Sequence, residues 1–449
     1  MGQLNKFVAH VLAFEGFEVV EVYWETPGRL RFTPVSAISA AADSLLVMRV
    51  RRSWVGRCSG CTRRCRKVQE HTPNRRWKDL PWAGRSVVIE YAPDRLRCDL
   101  CGHAAVELLP WAERYQRETM RFQQHMALQA QSMPTSHVAA QFGVDWHCVR
   151  RAEFHALQRW DATRQPEPLT MVGLDEKYLG RRHKREDKYI TIVSNLYTGE
   201  PIWIGFGRSE ATVARWLSTI SDKDKEGIEL FAMDMHEAFK NAVRADPALA
   251  HVAIAHDPFH VMKRALQAVD EVRRDVFFRA GPEMRAIGRG KRWLLLRAWD
   301  NNTDAQQVEV IRVLGLNRRL AHAYQVVEEL REVLHAPNEI AMAIGLVHVM
   351  KRIERRNNVP MRKLHDSLAA HFEEIVTLGI QHIPTGRIEA LNNNWETAVR
   401  QGRGYRNLQF LLLKVRFMTA NPIRDDDGLH RFLALGLPTP YRPEARTAA

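Results

Sequence analysis

The sequence predicts a multidomain α+β fold, and three observations carry that prediction. The 449-residue chain is longer than one simple core accommodates. Five of its six cysteines fall between Cys58 and Cys101, as in a small module held by metal. From Met171 onward the apolar pattern changes from helical spacing to strand-like spacing.

Charge and composition bound the function before any motif is read. The chain carries 66 Lys+Arg against 52 Asp+Glu, a formal charge of +14, and its pI is near 9.7. Such an excess points to a polyanionic partner, nucleic acid foremost. No run approaches the roughly 18 apolar residues of a membrane span. The N-terminal MGQLNKFVAHVLAFEGF lacks the features of a signal peptide. The expectation is a cytoplasmic protein without a membrane partner, associated with the nucleoid if the cell is prokaryotic.

The first element is a structural Zn²⁺ site. Cys58-Ser-Gly-Cys61 and Cys98-Asp-Leu-Cys101 each present two thiolates from a tight turn, and two such pairs complete a tetrahedral set. Strand-like SVVIEYAP (Ser86–Pro93) lies between them, so a hairpin is expected to join the pairs. Cys65 and His103 are spare ligands. The arginines around the first pair, RVRRSWVGRCSGCTRRCRK, suit contact with phosphate better than a merely solvated face.

Next comes PTSHVAAQFGVDWHCVRRAEFHAL, Pro134 to Leu157. Ser136 is the expected cap of a short helix with Val138, Ala139 and Phe142 inside. Gly143 supplies the turn, Val144 a buried plug and Asp145 the cap of a second helix. That helix turns Cys148, Val149 and Ala152 inward and Trp146, His147, Arg150 and Arg151 outward. The spacing is that of a DNA-binding helix-turn-helix, although any helical hairpin imitates it. The proline-bearing stretch 161–169 reads as a linker.

Three strands are expected in MVGLDEKYLG and DKYITIVSNLYTGEPIWIGFG, with a turn at Thr198–Pro201. SEATVARWLSTIS (Ser209–Ser221) reads as a Ser-capped helix, IELFAMDMHEAFKNAV as strand then helix, and HVAIAHDPFH as a fifth strand. This order of elements is that of an RNase H-like core. Asp175 is expected to end the first strand and Asp234 the fourth, strands that are neighbours in such a core. Two carboxylates meeting there need a cation, and Mg²⁺ suits them. Capping of the following helix explains Asp234 equally well. Asp175 and Glu176 point to opposite strand faces, and the sequence does not choose between them.

The stretches GLDEKY, AMDMHEAF, DPFHVMKRALQAVDEVRR and GRIEALNNNWETAVRQGRGYRN resemble the motifs of DDE-type insertion-sequence transposases, in particular the ISL-three family. The resemblance covers essentially the whole chain. It implies a catalytic, magnesium-binding triad of Asp175, Asp234 and Glu389, and a helical insertion splitting the RNase H-like core. Asn392 and Asn393 would share the Glu389 helix face and orient metal-bound water or touch a DNA end. Arg400, Arg403, Tyr405 and Arg406 would hold phosphate. Family members often carry Lys or Arg where this chain has Asn392–Trp395, which leaves the role of the amides open. Glu396, two helical turns on, is the alternative third ligand. Asp257, which competes with Asp234, is expected to be structural together with His260.

The implied organisation is a zinc-binding module (1–115), a helix-turn-helix region (116–162), a first part of the catalytic core (168–260), a helical insertion (261–384) and the rest of the core (385–425). In the insertion, Asp304 and Asn338 look like helix caps, and Trp293 and Trp299 are either core residues or platforms for an unpaired base. The implied chemistry is two-metal phosphoryl transfer on double-stranded DNA. Two Mg²⁺ ions lie about 3.5–4 Å apart in such sites. A homodimer would pair two terminal inverted repeats, cleave them and join them to target DNA. The rival reading is a regulator that binds DNA but has lost catalysis.

Overall fold

The computed structural model describes residues 14, 16–25, 32–34, 45–82, 84–165, 167–179, 188–279, 281–356, 358–379, 385–402, 405 and 407–436, with the backbone alone at 32–34, 385–389, 392 and 402. They fall into two compact units. The first comprises 1–165 with 398–405 and 420–449, and the second 166–397 with 406–419.

Eight strands open the first unit: β1 (Phe17–Glu25), β2 (Phe32–Pro34), β3 (Leu45–Arg52), β4 (Val68–His71), β5 (Arg75–Trp82), β6 (Arg85–Tyr91), β7 (Asp94–Arg97) and β8 (Ala104–Val106). They form a five-stranded sheet in the order β2-β1-β3-β6-β5 and a three-stranded sheet β4-β7-β8. Alternate residues Leu46, Met48 and Val50 of β3 and Val87, Ile89 and Tyr91 of β6 build one core around Trp111. Across the sheet, Glu90 accepts ion pairs from Arg49 and Arg76, which also hold Glu21 and Glu25. A charged ladder thus occupies the positions that alternate with the core residues.

Three helices follow, α1 (Met120–Ser132), α2 (Thr135–Phe142) and α3 (Trp146–Asp161). Thr119 caps α1, and its hydroxyl also donates to Asp79 of β5 at 2.6 Å. Buried Asp79 takes a second hydrogen bond, 2.8 Å from Arg121 Nε, and so ties the helices to the large sheet. Removing Asp79 strands the mostly buried Arg121 guanidinium. Asp79→Ala is expected to cost about 3 kcal/mol of stability in denaturant unfolding, while an unchanged midpoint would show that the pair contributes nothing.

The second unit holds β9 (Met171–Tyr178), β10 (Tyr189–Asn195), β11 (Glu200–Phe206), α4 (Glu210–Leu217), α5 (Asp222–Glu226), β12 (Leu230–Met233), α6 (Glu237–Arg244) and β13 (Ala253–His256). Their sheet order is β11-β10-β9-β12-β13. β10 runs antiparallel to both β9 and β11, whereas β12 lies parallel to both β9 and β13. All four residues of β12, Leu-Phe-Ala-Met, are buried, as expected of a central parallel strand. Gly173 of β9 is required by space, since a Cβ there would lie 2.5 Å from Ser194 Oγ. The helix expected over Ser209–Ser221 ends at Leu217 and a second short helix begins at Asp222.

Eight further helices lead from the last strand: α7 (Pro258–Phe278), α8 (Pro282–Gly288), α9 (Arg292–Leu296), α10 (Asp304–Gly315), α11 (Arg318–Val333), α12 (Glu339–Glu354), α13 (Val359–Ala370) and α14 (Phe372–Val376). Val261, Val269, Val272, Leu330, Leu346 and Leu364 share their core. Asn338 caps α12 as expected, but the cap of α10 is Thr303 rather than Asp304, through a reciprocal box with Gln306. Trp293 is exposed beneath Arg292, while Trp299 packs partly buried against the helical core. The chain ends its described course in α15 (Thr385–Gly402), α16 (Leu408–Ala420) and α17 (Asp426–Ala434). Arg416 of α16 donates to the Pro201 and Ile202 carbonyls of β11, docking that helix on the sheet. Among the described residues no helix is long and apolar enough to cross a membrane.

Candidate active site, metal centre and DNA interface

The register of three parallel strands brings the acids together. Met233 of β12 pairs with Leu174 of β9 on one side and with His256 of β13 on the other. One step further along lie Asp175, Asp234 and Asp257, side by side at one edge of the sheet. All three line a single cavity with His260, Ser194 and Leu391. Leu391 comes from α15, two residues beyond Glu389. The Glu389 side chain lies outside the described residues, as do that of Asn392 and the whole of Arg403 and Arg406.

Each carboxylate already has a basic side chain beside it. Lys177, two residues on and therefore on the same strand face, sits 3.1 Å from Asp175 Oδ2. His260 Nδ1 lies 3.1 Å from Asp234 Oδ2, and its Nε2 is 3.8 Å from Asp257. Burial raises the Asp234 carboxyl, but the His260 hydrogen bond and charge outweigh it, leaving the group below the ordinary range. Asp257 is pushed up, first by burial and further by the charges of Asp175 and Asp234. Burial alone would lower His260, yet the surrounding acids raise it. Three carboxylates around one cavity thus hold positive charge between them. No third described group closes with Asp175 and Asp234 to within 4.8 Å as a ligand set.

Several sequence expectations change here. Asp175 does not end its strand, because β9 continues to Tyr178 through pairing with β10. Glu176 faces away from the cavity lining and pairs with Arg208 at 3.1 Å. Asp234 does not cap α6, whose cap position is His236; its Oδ1 instead accepts the Met235 amide at 2.6 Å. Asp257 caps a different helix, accepting the Phe259 amide at the start of α7, which is the structural role expected of it, and it lines the cavity as well. The place of Asp257 and His260 on the cavity wall follows from the pairing of β12 with β13, which no local pattern reveals. Glu396 is exposed.

The four cysteines of the first unit converge. Cys58 Sγ lies 3.7 Å from Cys101 Sγ and Cys61 Sγ 3.7 Å from Cys98 Sγ, and all four sulfurs fall within 4.8 Å of one another. A tetrahedron with metal–sulfur bonds of about 2.3 Å has edges of about 3.8 Å, so the cluster is compatible with zinc. Two separate turns present the pairs, one between the bridged residues Arg57 and Arg64 and one between β7 and β8. In each, the fourth residue after the first cysteine has positive φ, Thr62 at 61° and Gly102 at 71°. Cys65 is not a fifth member, since its buried thiol donates to the Arg97 carbonyl. His103 stands outside the converging group.

The helix-turn-helix is formed by α2, Gly143 in the left-handed conformation, and α3 capped by Asp145. Ser136 does not cap α2; Pro134 occupies that position and the serine lies within the helix. Lys78 of β5 donates to the Phe142 and Gly143 carbonyls and so satisfies the C-terminal end of α2. Cys148, Val149 and Ala152 are core residues, while Trp146 and His147 project to solvent from the first turn of α3. Arg150 packs over both Trp146 and the buried ring of Tyr405, so that tyrosine supports an arginine rather than facing solvent itself. Arg151 pairs with Glu118 at 3.3 Å. Asn393 and Arg400 are exposed on α15.

Comparison with known proteins meets this geometry directly. The model of a transposase family matches residues 172–415, more than half of the chain, and the helix-turn-helix domain of transposase family ISL3 matches 107–152. The transposase for insertion sequence element IS1001 of Bordetella parapertussis is 28% identical over 418 residues, covering 92% of this chain and 97% of the relative. The transposase for insertion sequence element IS1557 of Mycobacterium tuberculosis is 24% identical over 325 residues, covering 65% and 70%. The chain belongs to the ISL3 family of transposases.

Proposed function

We propose that this transposase cleaves and joins DNA by metal-dependent phosphoryl transfer at a triad of Asp175, Asp234 and Glu389. The observation that carries the reading is the adjacency of Asp175 and Asp234 along one sheet edge, in a cavity reached by the helix that bears Glu389. The strand order supports an RNase H-like core, with the helices between β13 and α15 as its insertion. The donor set fits Mg²⁺, because clustered carboxylates balanced by Lys177 and His260 are oxygen ligands in need of a harder, more central cation. Two such ions, when bound, would activate the attacking oxygen and stabilise the leaving one. Asp175, Asp234 and Glu389 would hold the ions, while Lys177 and His260, now paired with the two aspartates, would be left to meet substrate phosphate. Water is the first nucleophile, and the 3′-hydroxyl it releases attacks target DNA.

End recognition falls to the first unit in this reading. Trp146 and His147 read the major groove of a terminal inverted repeat, with Arg150 and Arg151 at the phosphates and the zinc module beside them. Asn392, Asn393, Arg400, Arg403 and Arg406 serve the DNA near the triad, with Tyr405 acting through Arg150. A homodimer pairs the two ends, in a cytoplasmic, nucleoid-associated setting.

On a labelled duplex carrying the element's own end, Asp175→Asn, Asp234→Asn and Glu389→Gln should each lower strand cleavage about 100-fold or more with end binding retained. Glu396→Gln should cleave normally, and the opposite result for the two glutamates would move the third ligand to Glu396. Trp146→Ala or His147→Ala should weaken end binding by about 1–3 kcal/mol relative to random duplex in a competition assay. An equal loss on both duplexes would deny them a reading role. With Co²⁺ in place of zinc, thiolate charge-transfer absorption should appear, and in Cys58→Ser it should lose about a quarter of its intensity, one of four metal–sulfur bonds being gone. Undiminished absorption in the variant would exclude Cys58 as a ligand.

A further inference from the structure

We propose that His256, His371 and Glu374 form a second transition-metal site, independent of the carboxylate triad and of the four cysteines. The three come from separate places in the second unit: the last residue of β13, the junction of α13 and α14, and α14 itself. All are buried, and one ligand atom from each lies within 4.8 Å of the others. His256 Nε2 is 3.1 Å from His371 Nδ1. Two imidazoles on a tetrahedral ion, with bonds of about 2.0–2.1 Å, hold their nitrogens about 3.3 Å apart. The rings stand at 89° to one another, so they do not stack.

The orientation of His256 is fixed from behind. Its Nδ1 faces the Met233 carbonyl at 3.4 Å, a group that only accepts, so that nitrogen carries the proton. The Nε2 lone pair is thereby aimed into the cluster. A ligating histidine is commonly held in this way, with its second nitrogen donating to a backbone carbonyl. Glu237 Oε1 of α6 lies 3.7 Å from His371 Nδ1 on the exposed side but stands outside the converging set, which leaves the fourth position to water. Two imidazoles with carboxylate suit zinc or a similar borderline divalent ion rather than magnesium.

Lys240 of α6 is the built-in competitor. Its ammonium pairs with Glu374, and its side chain is 27% exposed, enough to leave for solvent when an ion arrives. An ion here would clamp α14 to the end of β13, one residue before Asp257.

The test is a count of ions on the full chain, loaded with Zn²⁺ alone, dialysed and measured by elemental analysis, with calorimetric titration for affinity. The wild type should hold one ion per chain more than His371→Gln, whatever zinc the cysteines and the carboxylates take in both. Lys240→Met should bind that additional ion about 10-fold more tightly, since its competitor is gone. Equal zinc content in the wild type and His371→Gln would overturn the site and leave a hydrogen-bonded histidine pair beside a lysine–glutamate ion pair. Should His371→Gln fail to fold, Lys240→Met decides, and unchanged zinc affinity there overturns the proposal.

Discussion

The parallel register of β9, β12 and β13 is the constraint on which the candidate active site depends. Pairing of Leu174, Met233 and His256 across three strands leaves their successors, Asp175, Asp234 and Asp257, no choice but to be neighbours. A slip of one residue in β12 would turn Asp234 to the other face, away from Asp175 and Asp257. Burial of the whole of β12 makes such a slip costly, because every one of its four side chains is packed. Gly173 adds to the same end, since the space a side chain would need is taken by Ser194 and Leu196. Hydrophobic packing thus sets the position of charged groups that would otherwise separate.

Clustered negative charge has to be balanced, and the protein does so with its own side chains. Lys177 and His260 stand at hydrogen-bond distance from Asp175 and Asp234, and Asp257 is held above its usual range by burial and by the charges of those two aspartates. Lysine and histidine thus stand between acids that would otherwise repel one another. This economy explains how a strongly basic chain accommodates a focus of acids: the surplus positive charge begins within the site itself.

What the sequence reveals depends on how local each feature is. The cysteine pairs, the Asp145 cap, the Gly143 turn and the inward face of α3 are set within a few residues, and all are found as read. The order of strands and helices in the second unit is equally legible, because each element has its own apolar period. Features fixed by distant partners are not. Strand β9 runs past Asp175 because β10 pairs with it, and Asp175 is distinguished from Glu176 only by which neighbours each meets. The His256–His371 contact joins residues 115 apart in the chain, beyond any local pattern. The helices beginning after Pro134 and Thr303 show a smaller effect: each has its cap position one or two residues before the polar residue that the sequence offers for it, Ser136 and Asp304.

The central claim is that Asp175 and Asp234 hold catalytic metal together with a carboxylate from α15. Anomalous diffraction from crystals grown with Mn²⁺, a heavier ion with the same preference for oxygen, tests it most directly. The account predicts a peak within about 2.0–2.3 Å of both Asp175 and Asp234, with Glu389 completing the set and His260 displaced from Asp234. A peak held by Asp257 and His260 without Asp175, or an Mn²⁺-soaked cavity with no peak while Lys177 and His260 stay in place, would contradict it.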